Sequence, residues 1–260
     1  MAVSRIIRSV KICPVSKPKC DIRIGTSGWH YDHWAGVFYP EGLPKTRWFS
    51  YYCRHFDTVE INNTFYQLPK EKTFKDWHEQ APKGFLYTVK ANRYITHLKR
   101  LKDPKEPLKR FFDRVKLLQK NVGPILYQLP PNFHKNLDRL ESFLDALPKD
   151  RIAIFEFRHK SWFSDDTYEL LDTFDAGFCV HDMPDIVPPR VVTGSSIYVR
   201  FHGATGKYQG NYPKQTLKKW ARWIKEHSNQ VRRIYAYFNN DTHGYAIENA
   251  KTLKDQLSNS

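Results

Sequence analysis

From residue 21 onward the chain alternates short apolar runs with stretches whose apolar residues recur at helical spacing. The runs read as strands at 22–26, 58–62, 85–91, 124–129, 152–157, 177–181, 196–202 and 233–238. The spacing predicts helices over 44–56 (Trp48, Tyr51, Tyr52, Phe56), 70–81 before Pro82, and about 104–118. A further helix over 136–147 carries the stripe Leu137, Leu140, Leu144 and Leu147, and Ser164 stands as N-cap of another over 165–174. Two more begin near Pro213 and Ala246. Between the sixth and seventh strands DMPDIVPPRVV has three prolines and no helical period, which predicts an irregular loop in place of a helix. Eight strands alternating with helices indicate a parallel sheet, and in this length they match a (β/α)8 TIM-barrel-like single domain, class α/β. An open doubly wound sheet is the runner-up, weakened because no GxGxxG follows the first strand.

Alternation within the strands places particular side chains together. Along RIAIFEFRHKSW, residues 151–162, Ile154, Glu156 and Arg158 share one face while Phe155 and Phe157 share the other. A carboxylate and a guanidinium ending an apolar strand are costly unless they are paired or put to use. The pattern recurs with Glu60 in TVEINNTFY, Lys90 in LYTVKANR, and Arg200 and His202 in IYVRFHG.

Charge changes the picture of partners more than of fold. A net charge of +15 favours an anionic partner, either a small molecule or nucleic acid, or else describes an ordinary basic surface. Residues 1–20 read as a basic N-terminal extension and 21–260 as the domain. Cys13, Cys20, Cys53 and Cys179 make no CxxC pair. Cys53 and Cys179 read as buried thiols, Cys13 and Cys20 could pair or bind metal, and a reducing, cytoplasmic setting fits best. No apolar run approaches the ~20 residues of a membrane span.

The segments GTSGWHYDHWAGVFYP, VEINNTFYQLP, VKANRYITHLKRL, YQLPPNF, FEFRHKSWF, YVRFHG and YAYFNNDTHGYAIENA follow one another along the chain. In that order they resemble the YecE-like family (domain of unknown function 72), from about Ile22 to Leu257. The resemblance implies a TIM-barrel-like fold and no settled reaction; residues 1–19 lie outside it.

Functional groups of such barrels gather at the C-terminal ends of the strands. The strand assignments place Glu60, Asn62, Lys90, Asn92, Gln128, Glu156, Arg158, His181, Asp182, Arg200, His202, Asn239 and Asn240 there. Tyr94 and His97 lie just past the third strand. One reading is a self-satisfied network in which Glu60 and Glu156 pair with Arg158, Arg200 or Lys90. A ligand site accounts better for the directional Asn, Gln and His groups. Lys90, Arg158 and Arg200 suit a phosphate or carboxylate clamp, with Glu156, Glu60 or His202 moving protons, as in a hydrolase of phosphate- or sugar-containing substrates or an isomerase. Two carboxylates also suit glycoside cleavage. A divalent metal is a further option through His181, Asp182, His202, Glu60 and Glu156, although no HxH or HExxH occurs and three cations stand nearby. The alternative is a non-catalytic nucleic-acid-binding module. Its basic runs would be 93–110 and 214–233, with Trp29, Tyr31 and Trp34 either stacking on bases or roofing the barrel.

Overall fold

The computed structural model describes residues 20–183 and 185–258. The calls on residues 1–19, Cys13 among them, lie outside the described residues. The eight strands are β1 (Asp21–Thr26), β2 (Thr58–Ile61), β3 (Leu86–Lys90), β4 (Val122–Gln128), β5 (Ala153–Glu156), β6 (Gly177–His181), β7 (Ser196–Phe201) and β8 (Arg233–Phe238). All pairings are parallel and the order is β1-β8-β7-β6-β5-β4-β3-β2. The two ends of the sheet meet at a bridge between Ser27 and Glu60, so the fold is a TIM-barrel-like (β/α)8 barrel.

That last seam is made by side chains. The Tyr52 hydroxyl donates to the Thr58 carbonyl at 3.0 Å and accepts from the Thr26 N–H at 3.1 Å. A Cβ on Gly25 would stand 2.4 Å from the same carbonyl, so only glycine lets β1 come this close to β2.

Strand alternation sorts the core into two layers. Leu126, Ile154, Cys179, Tyr198, Tyr235 and Tyr237 fill the barrel. Phe155, Phe157, Val89 and Val199 face outward in the cluster shared with the helices. The outer elements are α1 (Trp48–Tyr52), α2 (Asn63–Tyr66), α3 (Glu71–Gln80), α4 (Lys105–Val115), α5 (Leu137–Asp145), α6 (Asp165–Thr173), α7 (Lys214–His227) and α8 (Tyr245–Ser258). Residues 182–183 and 185–195 contain no helix, as the prolines predict.

Some expectations are corrected. The helix expected over 44–56 shrinks to a 3-10 turn, Lys45–Arg47, and the five-residue α1. Its aromatic spacing reflects burial of Trp48, Phe49, Tyr52 and Phe56 more than helical preference. Cys53 follows α1 half-buried, whereas Cys179 is fully buried; both are free thiols. The Ser164 hydroxyl donates to Asp166 and does not cap α6; the Asp166 carboxylate accepts the Thr167 N–H at 2.8 Å instead. Among the described residues, no helix is long and apolar enough to cross a membrane.

Candidate functional site

The inward-facing residues at the C-terminal ends of β2, β5 and β7 meet as one ionic chain. Arg200 donates from one guanidinium nitrogen to Glu60 Oε1 at 2.6 Å and from the other to Glu156 Oε2 at 2.7 Å. Arg158 closes on Glu156 Oε1 and reaches His202 Nε2 at 3.0 Å. Glu60 also accepts from Ser27 Oγ at 2.6 Å, Tyr198 Oη at 2.5 Å and Asn62 Nδ2 at 3.4 Å. All four carboxylate oxygens are therefore engaged, and neither glutamate has measurable exposure. Burial opposes the Glu156 charge, but Arg158 and Arg200 outweigh it and hold its carboxyl well below the usual range. Burial likewise opposes the Arg200 charge, and Glu60 and Glu156 keep that guanidinium protonated.

Lys90 stands at the edge of this chain without joining it. Its ammonium donates to Gln128 Oε1 at 2.7 Å and lies 4.2 Å from the centre of the Phe65 ring. Among the described residues it has no carboxylate partner at ion-pair distance. Burial, then the Arg200 charge, push its pKa down to about 7, and the two glutamates offset only part of this. Two guanidiniums thus answer two carboxylates, and a protonated Lys90 is a surplus charge.

The histidines around it are neutral near pH 7. Burial lowers His181 to about 4, and it lowers His97 to about 4 with help from Lys90 and Arg93. Burial and Arg200 hold His202 well below its ordinary value. His202 Nε2 faces the Arg158 guanidinium, and its Nδ1 is buried without a hydrogen-bond partner. His97 stacks edge-on against Phe65, 4.8 Å between ring centres, at the end of a π-helical turn over Tyr94–Leu98. Asp182 accepts from the His202 backbone N–H at 2.7 Å and from the Tyr212 hydroxyl, and burial raises it to about 6.

The structure gathers Glu60, Asn62, Glu156, Arg158, Arg200 and His202 in one connected cluster and sets the Lys90–Gln128 pair within reach of its charges. Others stand apart. Asn92 spends its amide on the carbonyls of Thr64 at 2.9 Å and Phe65 at 3.3 Å, which fastens α2 to the end of β3. Asn240 is fully buried and ties Gly210 to Asn249. Asn239 directly follows β8, half-buried, and its backbone N–H donates to the Phe201 carbonyl. Trp29 packs on Phe49, Trp77 and Tyr87, outside the barrel wall, and Trp34 is fully buried with no face left for a base. Tyr94 is 46% exposed. It lines a groove of about 1380 Å³ with Tyr66, Lys99, Lys105, Lys109 and Arg110.

Three contributors had not been singled out from the sequence: Ser27, Tyr198 and Phe65. The alternation that selects Arg200 also turns Tyr198 inward, so that signal was present. Phe65 sits on α2, where no strand alternation applies. Among the described residues, no three His, Cys, Asp or Glu side chains come together as a metal-ligand set.

A family model described as "Protein of unknown function DUF72" matches residues 23–260. The UPF0759 protein YunF of Bacillus subtilis is 28% identical over 269 residues, covering 91% of this chain and 94% of that protein. The UPF0759 protein YecE of Escherichia coli is 31% identical over 144 residues, 55% of this chain and 50% of that protein. A solved DUF72 family protein from Thermotoga maritima superposes with a TM-score of 0.83 at 32% identity, covering 92% of this chain and 99% of that one. Another, from Enterococcus faecalis, shares the fold with a TM-score of 0.79 at 19% identity, covering 92% and 96%.

Proposed function

The chain belongs to the DUF72 family, a family of unknown function, and we propose that its barrel mouth binds a small phosphate- or carboxylate-bearing substrate and acts on it by acid–base chemistry. The observation that carries this reading is Lys90, a surplus cation beside carboxylates that are already fully engaged. An anion arriving at the mouth would complete its charge balance. Arg158, slightly exposed and anchored through Glu156, would supply directional donors. Glu60, Glu156 and Arg200 serve as the frame that fixes Arg158 and His202, and Lys90 is the group poised to exchange a proton near neutrality. Hydrolysis or isomerisation of a phosphate- or sugar-containing substrate fits this arrangement. The three described cysteines are free thiols, which supports a reducing, cytoplasmic setting.

The test is calorimetric titration with inorganic phosphate. Lys90→Met and Arg158→Met are each expected to weaken binding about tenfold or more, as loss of a charge-assisted contact does, while Lys218→Met on α7 leaves it unchanged. Equal affinity in all four proteins would sink the reading.

A second reading rests on the groove beside the mouth. Exposed Tyr66 and Tyr94 lie there among Lys99, Lys105, Lys109 and Arg110, a mixture suited to single-stranded nucleic acid.

A further inference from the structure

We infer that Lys90 is an imine-forming lysine, and that its substrate is a small aldehyde or ketone carrying a phosphate or carboxylate. The inference rests on the anion-binding reading above and adds the reacting group of the substrate.

An amine is a nucleophile only when it is unprotonated, and ordinary surface lysines are almost wholly protonated at neutral pH. Lys90 differs by its position. It is 9% exposed, held at the C-terminal end of β3, flanked on one side by the Phe65 ring and tied by a single neutral acceptor, Gln128. The carboxylates that would stabilise its ammonium are committed to Arg158 and Arg200. Burial, and after it the same guanidiniums, disfavour its charge, so the amine gives up its proton near neutral pH. Nζ donates to Gln128 Oε1 at 2.7 Å, which engages an N–H and leaves the lone pair of the free amine for attack. The same desolvation serves proton exchange, and a free lone pair on Nζ lets the amine attack a carbonyl as well.

The step balances without an oxidant or a further reactant. The Nζ lone pair forms a bond to the carbonyl carbon while the carbonyl π pair moves to oxygen. That oxygen takes up the two amine protons and leaves as water as the carbon–nitrogen double bond forms. Arg158 would hold the anionic group of the same molecule, which selects anionic over neutral carbonyl compounds.

The full chain is incubated with dihydroxyacetone phosphate in one arm and pyruvate in another, with sodium cyanoborohydride to reduce any imine, and the modified residues are mapped by peptide mass spectrometry. Lys90 is expected to carry the adduct about tenfold more often than the mean surface lysine, in the arm whose anion fits. Lys90→Arg keeps a cation and cannot form the imine. It should lose that adduct, whereas Lys218→Met on α7 should keep both the adduct and the native phosphate affinity. Adducts spread evenly over surface lysines would overturn the inference. Phosphate binding that depends on Lys90, with no adduct in either arm, would overturn the imine and leave the anion site standing. Absence of both would overturn the two readings together.

Discussion

Lys90 carries a charge that folding makes expensive, and pH exposes that cost. Its folded pKa, about 7, lies below its unfolded value of about 10.4. Below pH 7 both states hold the proton and the full penalty is present. Between about 7 and 10 the unfolded chain retains a proton that the folded chain has lost, so this residue makes stability rise with pH. Replacing Lys90 with Met removes the penalty. Urea denaturation is expected to show Lys90→Met gaining on the native chain by about 1–3 kcal/mol at pH 6, with the gain shrinking toward pH 9.5. A pH-independent difference would mean the amine is not desolvated. Glu156→Gln is the contrast: it strips Arg158 and Arg200 of a shared partner and should cost about 3–5 kcal/mol. Strand alternation alone put Glu60, Lys90, Glu156, Arg200 and His202 on one inward face. It could not say which carboxylate takes which guanidinium, since that depends on barrel stagger. Lys90 therefore could not be told from its neighbours as the unpaired cation.

At the scale of elements, the strands and the helices α3 to α8 were legible, and the stretch after β1 was not. A strand inside a closed barrel is buried on both faces and reads as a near-continuous apolar run. The stretch after β1 obeys a different rule. Its aromatics pack the gap where the sheet closes, with Tyr39 stacked on Trp48 at 4.6 Å and Tyr52 entering the seam, and such packing imitates helical spacing without making a long helix. The seam is held by one bridge, the Tyr52 hydroxyl and the Ser27 hydroxyl on Glu60. Gly25→Ala would drive a methyl group into the Thr58 carbonyl and should cost about 1–3 kcal/mol, the range of an overpacked core. Amide exchange should then accelerate first at Thr26 and Ser27, whose N–H groups bond across or beside this join. Uniform acceleration over all eight strands would show that the join carries no special share of the stability.

For the whole molecule, the surplus of +15 has to lie mostly outside the mouth, because the ionic chain there is balanced except for Lys90. Surface charge and buried charge answer salt differently. Exposed cations are screened within a Debye length of about 8 Å at physiological ionic strength, whereas partly buried ones are screened much less. Two binding events on this protein should separate on that basis. A labelled single strand, held by α4 and the groove beside it, is expected to lose affinity steeply, with a slope of log affinity on log salt of several units in magnitude. Phosphate at the mouth, meeting Lys90 and Arg158, should show a slope of about one. Reversing Lys105 and Lys109 to Glu should flatten the first slope and spare the second, and Lys90→Met should do the opposite. If Lys90→Met weakened both ligands equally, the groove and the mouth would be one continuous nucleic-acid site. The lysine at its centre would then meet a backbone phosphate instead of a small anion.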